Sequence, residues 1–382
     1  MPEATLKKHL EALKERTEAL KYAEECSRSD ESASDKDSET NTHQTEPALK
    51  EWQNPLHDHA GPVHKLFDGA SVDAFSKRLC NLYRDSDSRD RTKSLIKELR
   101  SRGEYRKLGA IPDGWHGMLD QMTVMFPNFG EVISYLRAMF TLSSYGDGVP
   151  RLDPLLLNGP PGVGKTYFAE SFAKALGVGF VCLRMENAQS NSQLSGSSEF
   201  WSNTKPSELF SWLIEKDNAN PVFFLDELDK ATGGSEYDPL SSVYSLFEPD
   251  TARTYCDLSY PWLALDASHV LWIATSNHAE SLPAPILSRV KRFDIPPPSD
   301  KEVRRIVLQI FYRLRKELPP VVLSIKLTKK AVDVLSAHSP RVIRQLLREA
   351  ISRSLLRGAH RIEAGDIPLV SNKSDRQKVG FC

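Results

Sequence analysis

The sequence lacks the features of secreted, membrane-spanning and zinc-binding proteins. Its five cysteines are odd in number, scattered, and include no C-x-x-C pair. This usage favours a reducing cytoplasm over a disulfide framework or a structural zinc site. No apolar run approaches the ~18 residues of a membrane span. Residues 1–7 also lack the apolar segment of a signal peptide.

The chain also has no large excess of positive or negative charge. The formal net charge is −1, which gives no electrostatic argument for nucleic acid or an anionic membrane as a partner of the whole molecule. With 382 residues, of which 40% are hydrophobic, the chain can bury a large core. We therefore expect two or three domains.

Composition divides the first part of the chain into three segments. Residues 1–26 are charged, and their leucines have the spacing of a short coiled-coil stripe, which predicts an amphipathic helix, either solvated or in contact with a partner. Residues 27–50 are rich in Ser, Thr, Asp and Glu and are expected to be a flexible linker. Residues 51–112 regain aromatic residues and are expected to form a small, mainly helical module.

Part of this helical module is basic. Residues 77–107 contain 11 Lys or Arg and 5 Asp or Glu, a net charge of +6. Such a surface can bind nucleic acid or an acidic protein partner. The acidic residues are interspersed and aromatic residues are sparse, so an ordinary solvated helix surface is the competing interpretation.

The part of the chain after residue 113 contains a complete phosphate-binding loop, residues 159–166. The pattern G-x-x-x-x-G-K-[ST] lies between the apolar run 155–157 and the helix-like segment 167–176, which is the setting that the motif requires. Its glycines let backbone N–H groups face a phosphate, while Lys165 reaches the β- and γ-phosphates and Thr166 offers a ligand to Mg²⁺. The predicted ATP-binding residues of the loop are Gly159, Pro160, Pro161, Gly162, Val163, Gly164, Lys165 and Thr166.

Two further apolar runs end in polar side chains. Asp226 and Glu227 follow residues 221–225, and Asn277 follows residues 269–275. Ligands bind at the carboxyl ends of parallel strands. We expect Asp226 to hold Mg²⁺ through water and Glu227 to polarise the attacking water. Asn277 can donate to the γ-phosphate or orient that water.

Two arginines are candidates for phosphate contacts. Arg289, with Arg292 in reserve, ends a short helix-like segment from which it can reach the γ-phosphate of a neighbouring subunit. Arg341 lies in the first turn of a predicted helix, where a cation is unfavourable for the helix dipole unless a phosphate lies nearby. After the prolines at 296–298 only helices are expected, at 300–314, 328–335 and 340–357.

From about residue 113 to residue 370 the sequence resembles the ATPase module of AAA+ proteins, most closely that of Lon-type proteases. The resemblance rests on an ordered series of motifs: Gly159–Thr166, Phe224–Lys230, Asp238–Ser242, Phe247–Asp250, Ile273–Asn277, Leu282–Arg289 and Ser339–Arg341. It implies a three-layer α/β core with a parallel sheet over residues 113–296 and a helical lid over residues 297–370. It also implies a homo-oligomeric ring, usually of six subunits, with ATP between them.

The resemblance assigns a role to each motif. Asp226 and Glu227 become the Walker B acids, Asn277 sensor 1, Arg289 the finger that acts in trans and Arg341 the ATP-binding sensor 2 of the lid. The resemblance also implies a pore loop that grips a translocating polypeptide through an aromatic residue. Counting back from the Walker B strand places this loop at Phe200 and Trp201, although packing of Trp201 within its own domain is the competing interpretation.

The sequence departs from Lon-type proteases at both ends. Only a polar tail, residues 371–382, follows the lid, so the Ser-Lys peptidase domain is not expected. The predicted function is a cytoplasmic, ATP- and Mg²⁺-dependent ring ATPase that remodels or unfolds a protein client without protease activity of its own. One alternative is a nucleic-acid-associated ATPase that uses residues 77–107, such as a loader or a transposition or defence regulator. The other is a nucleotide-switched scaffold for an effector partner.

Overall fold

The computed structural model describes residues 52, 56, 59–82, 86–185, 190–197, 204–231 and 240–368. Three predicted features lie outside these residues. They are the N-terminal helix and linker (residues 1–50), the aromatic pair Phe200 and Trp201, and the tail from residue 371. Those predictions stay predictions.

Strands and helices alternate along most of the described chain. The strands are β1 (Val63–Lys65), β2 (Tyr105–Lys107), β3 (Leu155–Asn158), β4 (Phe180–Arg184), β5 (Val222–Asp226), β6 (Tyr255–Cys256), β7 (Ala264–Leu265), β8 (Leu271–Ser276), β9 (Lys291–Asp294), β10 (Lys326–Leu327) and β11 (Arg361–Ile362). The helices are α1 (Gly69–Leu82), α2 (Ser86–Arg102), α3 (Trp115–Met125), α4 (Gly130–Ser144), α5 (Lys165–Leu176), α6 (Ser190–Ser195), α7 (Glu208–Glu215), α8 (Ser241–Leu246), α9 (Pro249–Ala252), α10 (Ala284–Leu287), α11 (Asp300–Glu317), α12 (Lys329–Leu335) and α13 (Pro340–Leu356).

Five of the strands form a parallel sheet in the order β4-β5-β8-β3-β9. Neighbouring strands pair in register, for example Leu156 with Ala274 and Phe224 with Ile273. Strands β3, β5 and β8 are almost wholly buried. Helices cover both faces of such a sheet, and its strands therefore read as continuous apolar runs. The predicted α/β fold with a parallel sheet is confirmed.

Alternate side chains along the strands enter two hydrophobic layers. Phe223 and Leu225 enter the first layer, which α6, α7 and α8 cover, while Val222 and Phe224 enter the second. Helices α3, α4 and α5 close the second layer. This division follows from the two-residue period of a strand, which points successive side chains to opposite faces.

The N-terminal unit, residues 59–108, shares the first layer with the sheet. Strands β1 and β2 pair in antiparallel fashion, and α1 and α2 lie between them in the chain. Leu66, Val72, Leu99 and Leu108 are buried in the same cluster as Phe223. A mainly helical N-terminal region is confirmed. The boundary predicted for the helical module, residue 112, stays a prediction, and the hydrophobic cluster of this unit extends into the sheet.

Several basic residues of the segment 77–107 are committed to internal contacts. Arg106 is only 2% exposed, and its guanidinium donates to the carbonyls of Leu213 (3.0 Å) and Ile214 (3.2 Å) at the end of α7. Burial lowers the pKa of Arg106 to about 10. Arg100 pairs with Asp73 at 2.7 Å and Arg102 with Asp217 at 2.6 Å. Counting charges in the sequence therefore overstated the basic surface available to a partner.

The helices after residue 299 have a hydrophobic cluster of their own. A capping box at Ser299 starts α11, the Thr328 hydroxyl caps α12, and Pro340 occupies the first turn of α13, as the sequence predicted. The expectation of helices alone was wrong in one detail, because β10 and β11 form a two-residue parallel pair. No helix in the described part of the chain is long and apolar enough to cross a membrane.

The buried guanidinium of Arg106 predicts a stability effect. Replacement by Met leaves the carbonyls of α7 without donors, so Arg106→Met is expected to lower the free energy of unfolding by about 2 kcal/mol or more. Urea denaturation measures the change. Lys97→Met, on the exposed face of α2, is the matched control and should leave the transition midpoint unchanged. Equal midpoints for the two variants would contradict a structural role for Arg106.

Candidate functional site

The predicted phosphate-binding loop connects β3 to α5. Gly159 passes so close to the chain that a Cβ there would lie 2.4 Å from the carbonyl oxygen of Ile295. Gly164, just before α5, has φ of +103°, which side-chain-bearing residues rarely adopt. The buried amide of Asn128 supports the loop by donating to the carbonyls of Val163 (3.4 Å) and Pro296 (3.1 Å). Close approach and backbone conformation thus explain why glycine occupies positions 159 and 164.

Lys165 is the first residue of α5 and is 9% exposed. Its ammonium donates to the carbonyls of Gly159 and Pro160 and to Oδ1 of Asn277, the last at 2.9 Å. Burial lowers the pKa of Lys165, and the carboxylates of Asp226, Asp229 and Glu227 oppose that shift. The structure therefore brings the loop lysine and Asn277 into direct contact.

Asp226 and Glu227 lie at the carboxyl end of β5, beside Thr275 of β8. The Thr275 hydroxyl donates to Oδ1 of Asp226 (2.8 Å) and accepts from the backbone N–H of Glu227 (2.8 Å). Glu227 is the one residue other than glycine with a positive φ, +57°, in the described part of the chain. Such a conformation costs about 1 kcal/mol or more and is frequent at functional sites. One hydroxyl thus fixes both acidic residues.

The carboxylate of Glu227 has two side-chain neighbours. Lys230 donates to Oε2 at 2.5 Å, and the amide of Asn277 approaches Oε1 at 3.4 Å. The hydrogen bond from Lys230 is the main cause that lowers the pKa of Glu227. The side chain nevertheless retains 31% exposure, so the ionised carboxylate can still contact water.

Asp229 holds the backbone that carries Asn277. Its Oδ2 accepts from the N–H groups of Asn277 (3.3 Å) and His278 (3.2 Å), while its Oδ1 is buried without a hydrogen-bond partner among the described residues. We assigned no individual role to Asp229 or Thr275 from the sequence. Neither had a local signal, because their hydrogen-bond partners are distant in the chain.

A cavity of about 1100 Å³, the main cavity, lies between the phosphate loop and the helices after residue 299. Thr166, Asp226, Glu227 and Asn277 line it together with Arg341. Arg341 is exposed and has no ion-pair or hydrogen-bond partner among the described residues. The predicted nucleotide-binding residues of the loop and of α13 therefore face one space.

Apolar residues from two helices also line the main cavity. Met125 and Phe126 line it from the end of α3, and Ile306 and Ile310 line it from α11. Arg313 of α11 lies over the ring of Tyr167, with 4.2 Å between the guanidinium carbon and the ring centre. Sequence reasoning missed this part of the site, because its residues come from helices that carry no motif.

The two other candidate arginines lie outside the set that lines the main cavity. Arg289 donates to the carbonyl of Pro285 (2.9 Å) and approaches the carboxylate of Glu248 (3.4 Å). Arg292 pairs with Glu280 and Asp294, each at 2.9 Å. Within one chain the structure does not bring either arginine to the phosphate loop.

The segment that contains Phe200 and Trp201 lies outside the described residues, but the chain on either side of it is fixed. The N–H of Ser197 donates to the carbonyl of Lys205 (3.0 Å), and the N–H of Lys205 donates to Oγ of Ser197 (2.7 Å). The hydroxyl of Ser259 lies 3.0 Å from the carbonyl oxygen of Ser197 and 2.8 Å from that of Lys205. Residues 197 and 205 are therefore held together.

A buried carboxylate anchors this junction. Asp257 is 0% exposed and accepts from the N–H groups of Ser207 and Ser259, each at 2.9 Å, and from the hydroxyl of Tyr255 at 3.1 Å. A fully satisfied buried network of this kind rigidifies its surroundings. Ser197 and Lys205, which flank the segment 198–203, are thus connected to the protein core through Ser259 and Asp257.

Residues 155–296 match the family described as "ATPase family associated with various cellular activities (AAA)". This range contains the phosphate loop, both acids of β5, Asn277 and Arg289, whereas Arg341 lies beyond it. The predicted resemblance to AAA+ ATPases is confirmed.

Similar curated proteins include Lon proteases. The chain is 32% identical over 203 residues to Lon protease of Halothermothrix orenii, which covers 53% of this chain and 25% of that protein. It is 31% identical over 201 residues to the peroxisomal Lon protease homolog 2 of Arabidopsis thaliana, covering 52% and 22%. The chain spans about a quarter of the length of the curated relatives it matches.

Among solved structures, a RuvB mutant of Thermotoga maritima matches with a TM-score of 0.44 and 16% identity. The match covers 62% of this chain and 67% of that one, and at this level it carries no further argument.

The shared hydroxyl of Thr275 predicts a matched pair of variants. Thr275→Val removes the donor to Asp226 and the acceptor for Glu227, so ATP turnover is expected to fall by about 10- to 100-fold, because both acids lose the group that orients them. Thr275→Ser keeps the hydroxyl and should retain most of the activity. Steady-state ATP hydrolysis measures both. Equal rates for the two variants would show that the hydroxyl does not matter.

Proposed function

Because residues 155–296 match the AAA family of ATPases, we propose that this chain binds ATP in the main cavity and hydrolyses it there. The observation that supports this best is the hydrogen-bonded chain from Lys165 through Asn277 to Glu227. It places an ammonium, an amide and a carboxylate together at the loop end of the cavity. Phosphoryl transfer to water needs these groups for binding phosphate and orienting the attacking water.

The phosphate loop and Lys165 would hold the β- and γ-phosphates. Backbone N–H groups at the start of α5 favour an anion, and Lys165 would exchange its bonds to the loop carbonyls for bonds to phosphate oxygens. Arg341, which faces the same cavity from α13, would add a second cation at the γ-phosphate. Apolar side chains of α3 and α11 line the same cavity and would contact the base of the nucleotide.

Thr166 and Asp226 fit a magnesium site. Both offer oxygen atoms to the main cavity, and hydroxyl and carboxylate oxygens are ligands that Mg²⁺ prefers. Bound there, Mg²⁺ would neutralise charge on the β- and γ-phosphates. Thr275 keeps the Asp226 carboxylate in a fixed orientation for this role.

Glu227 would orient the attacking water. Its pKa is lowered, so it is a carboxylate at neutral pH, and it can accept a hydrogen bond from water while Asn277 holds its other side. The strained backbone at Glu227 supports this assignment, because strain of this kind is retained where the side-chain direction matters.

Arg289 would act on the active site of a second copy of the chain. Its position outside the main cavity of its own chain supports an arrangement in which each site lies at a subunit boundary. A head-to-tail interface of this kind closes into a ring, and a ring of six agrees with the resemblance to AAA+ proteins. The scattered cysteines fit assembly in a reducing cytoplasm.

The proposed role is remodelling of a protein client. Phe200 and Trp201 lie in the sequence between Ser197 and Lys205, which hydrogen bonds hold together. A force on the segment between them would therefore be transmitted to the folded core. A nucleic-acid role for residues 77–107 is less well supported, because Arg100, Arg102 and Arg106 are engaged in internal contacts.

The client role predicts the behaviour of Trp201→Ala. An unfolded protein added to the wild type should raise ATP turnover, and Trp201→Ala should abolish that increase while the basal rate stays unchanged. Trp262→Phe, which retains an aromatic ring in a partly buried position, is the matched control and should keep the increase. Stimulation by single-stranded DNA that does not depend on Trp201 would instead support a nucleic-acid role. No response to either addition would favour the scaffold alternative.

A further inference from the structure

A second cavity, of about 610 Å³, lies between α2 of the N-terminal unit and α7. We call it the α2–α7 groove. Leu95 of α2 and Phe210 and Ile214 of α7 contribute its floor, and all three are buried. The ring of Tyr260 closes one side and stacks on Phe210, with 5.1 Å between ring centres. The floor of the groove is therefore apolar, and its three residues are each at most 8% exposed.

Carboxylates surround this floor. The lining contains Asp87, Asp90, Glu98 and Glu215 and a single cation, Arg91. Three of the five acidic residues of the segment 77–107 therefore face the groove, because positions 87, 90 and 98 recur at helical spacing on one side of α2. The local charge is negative, although the segment as a whole has a net charge of +6.

Two of these carboxylates line the groove from different helices. Glu98 and Glu215 approach the same cavity from facing helices, and neither carboxylate has a hydrogen bond or ion pair among the described residues. Glu215 is also the last residue of α7, where the helix dipole favours a nearby cation. A cation between the two helices could pair with both carboxylates.

We propose that the α2–α7 groove binds a basic, amphipathic peptide segment of a partner protein. Apolar side chains of the peptide would cover Leu95, Phe210 and Ile214, and its Lys or Arg residues would pair with Glu98 and Glu215. Complementarity of charge selects this partner over nucleic acid, which the same negative groove repels. It also excludes the chain's own residues 1–26 as the preferred occupant, since they carry five Lys or Arg against six Glu.

The experiment measures binding of a defined probe to the full-length protein. The probe is a fluorescein-labelled peptide with leucines on one helical face and lysines on the other, and the control peptide has glutamate in place of every lysine. Fluorescence anisotropy should show saturable binding of the lysine peptide that weakens as salt is added. The glutamate peptide should not bind.

Two double variants test the location of the site. The double variant Glu98→Gln, Glu215→Gln is expected to weaken binding of the lysine peptide about tenfold, because it removes two exposed ion pairs. Asp113→Asn with Glu131→Gln removes the same charge from exposed positions elsewhere and should change nothing. Equal loss in both variants would show nonspecific attraction and overturn the proposal, as would failure of the wild type to bind the lysine peptide.

A parallel titration with single-stranded DNA tests the other class of partner. The proposal would also be overturned if the protein bound DNA saturably but did not bind the lysine peptide. In that case neither the lysine peptide nor the Glu98→Gln, Glu215→Gln double variant would change DNA binding. None of these measurements depends on ATP hydrolysis. Their outcome is therefore independent of whether the chain remodels a protein client.

Discussion

The parallel register of β5, β8 and β3 is the constraint on which the rest of the site depends. Each strand ends at the same edge of the sheet, so the acids after β5, Asn277 after β8 and the phosphate loop after β3 meet there. Hydrogen bonds then cross between neighbouring strands. Thr275 fixes Asp226 and the backbone of Glu227, and Asn277 contacts both Lys165 and Glu227. Buried apolar strands set this register.

The main cavity and the segment 198–203 are connected through the same protein body. Arg341 faces the cavity from a helical unit with its own hydrophobic cluster, which is a suitable arrangement for a unit that moves when nucleotide binds. On the opposite layer, Asp257 and Ser259 fasten the chain on both sides of residues 198–203. Tyr260, the next residue, lines the α2–α7 groove. A partner in that groove would therefore lie beside the junction that holds the proposed client-binding segment.

The sequence predicted the fold and the phosphate loop well, because both depend on local patterns. Apolar runs predicted β3, β5 and β8, and residues with specific capping chemistry predicted the starts of α11, α12 and α13. It did not predict the roles of Thr275 and Asp229, since their partners are about fifty residues away or on another strand. The charge count of residues 77–107 was misleading for a related reason. Composition does not show that Arg106 is buried or that Asp90 and Glu98 share a face.

A subunit-mixing measurement tests the central claim, that ATP is hydrolysed at a site completed by Arg289 of a second copy. Glu227→Gln alone should bind ATP with almost no turnover, and Arg289→Ala alone should lose about 10³-fold or more in rate. When the two variants are coexpressed in equal amounts, about one quarter of the interfaces combine an intact Glu227 with an intact Arg289 in a head-to-tail ring. The account predicts that turnover recovers to about that fraction of the wild-type rate. Activity no greater than the sum of the two variants would contradict it.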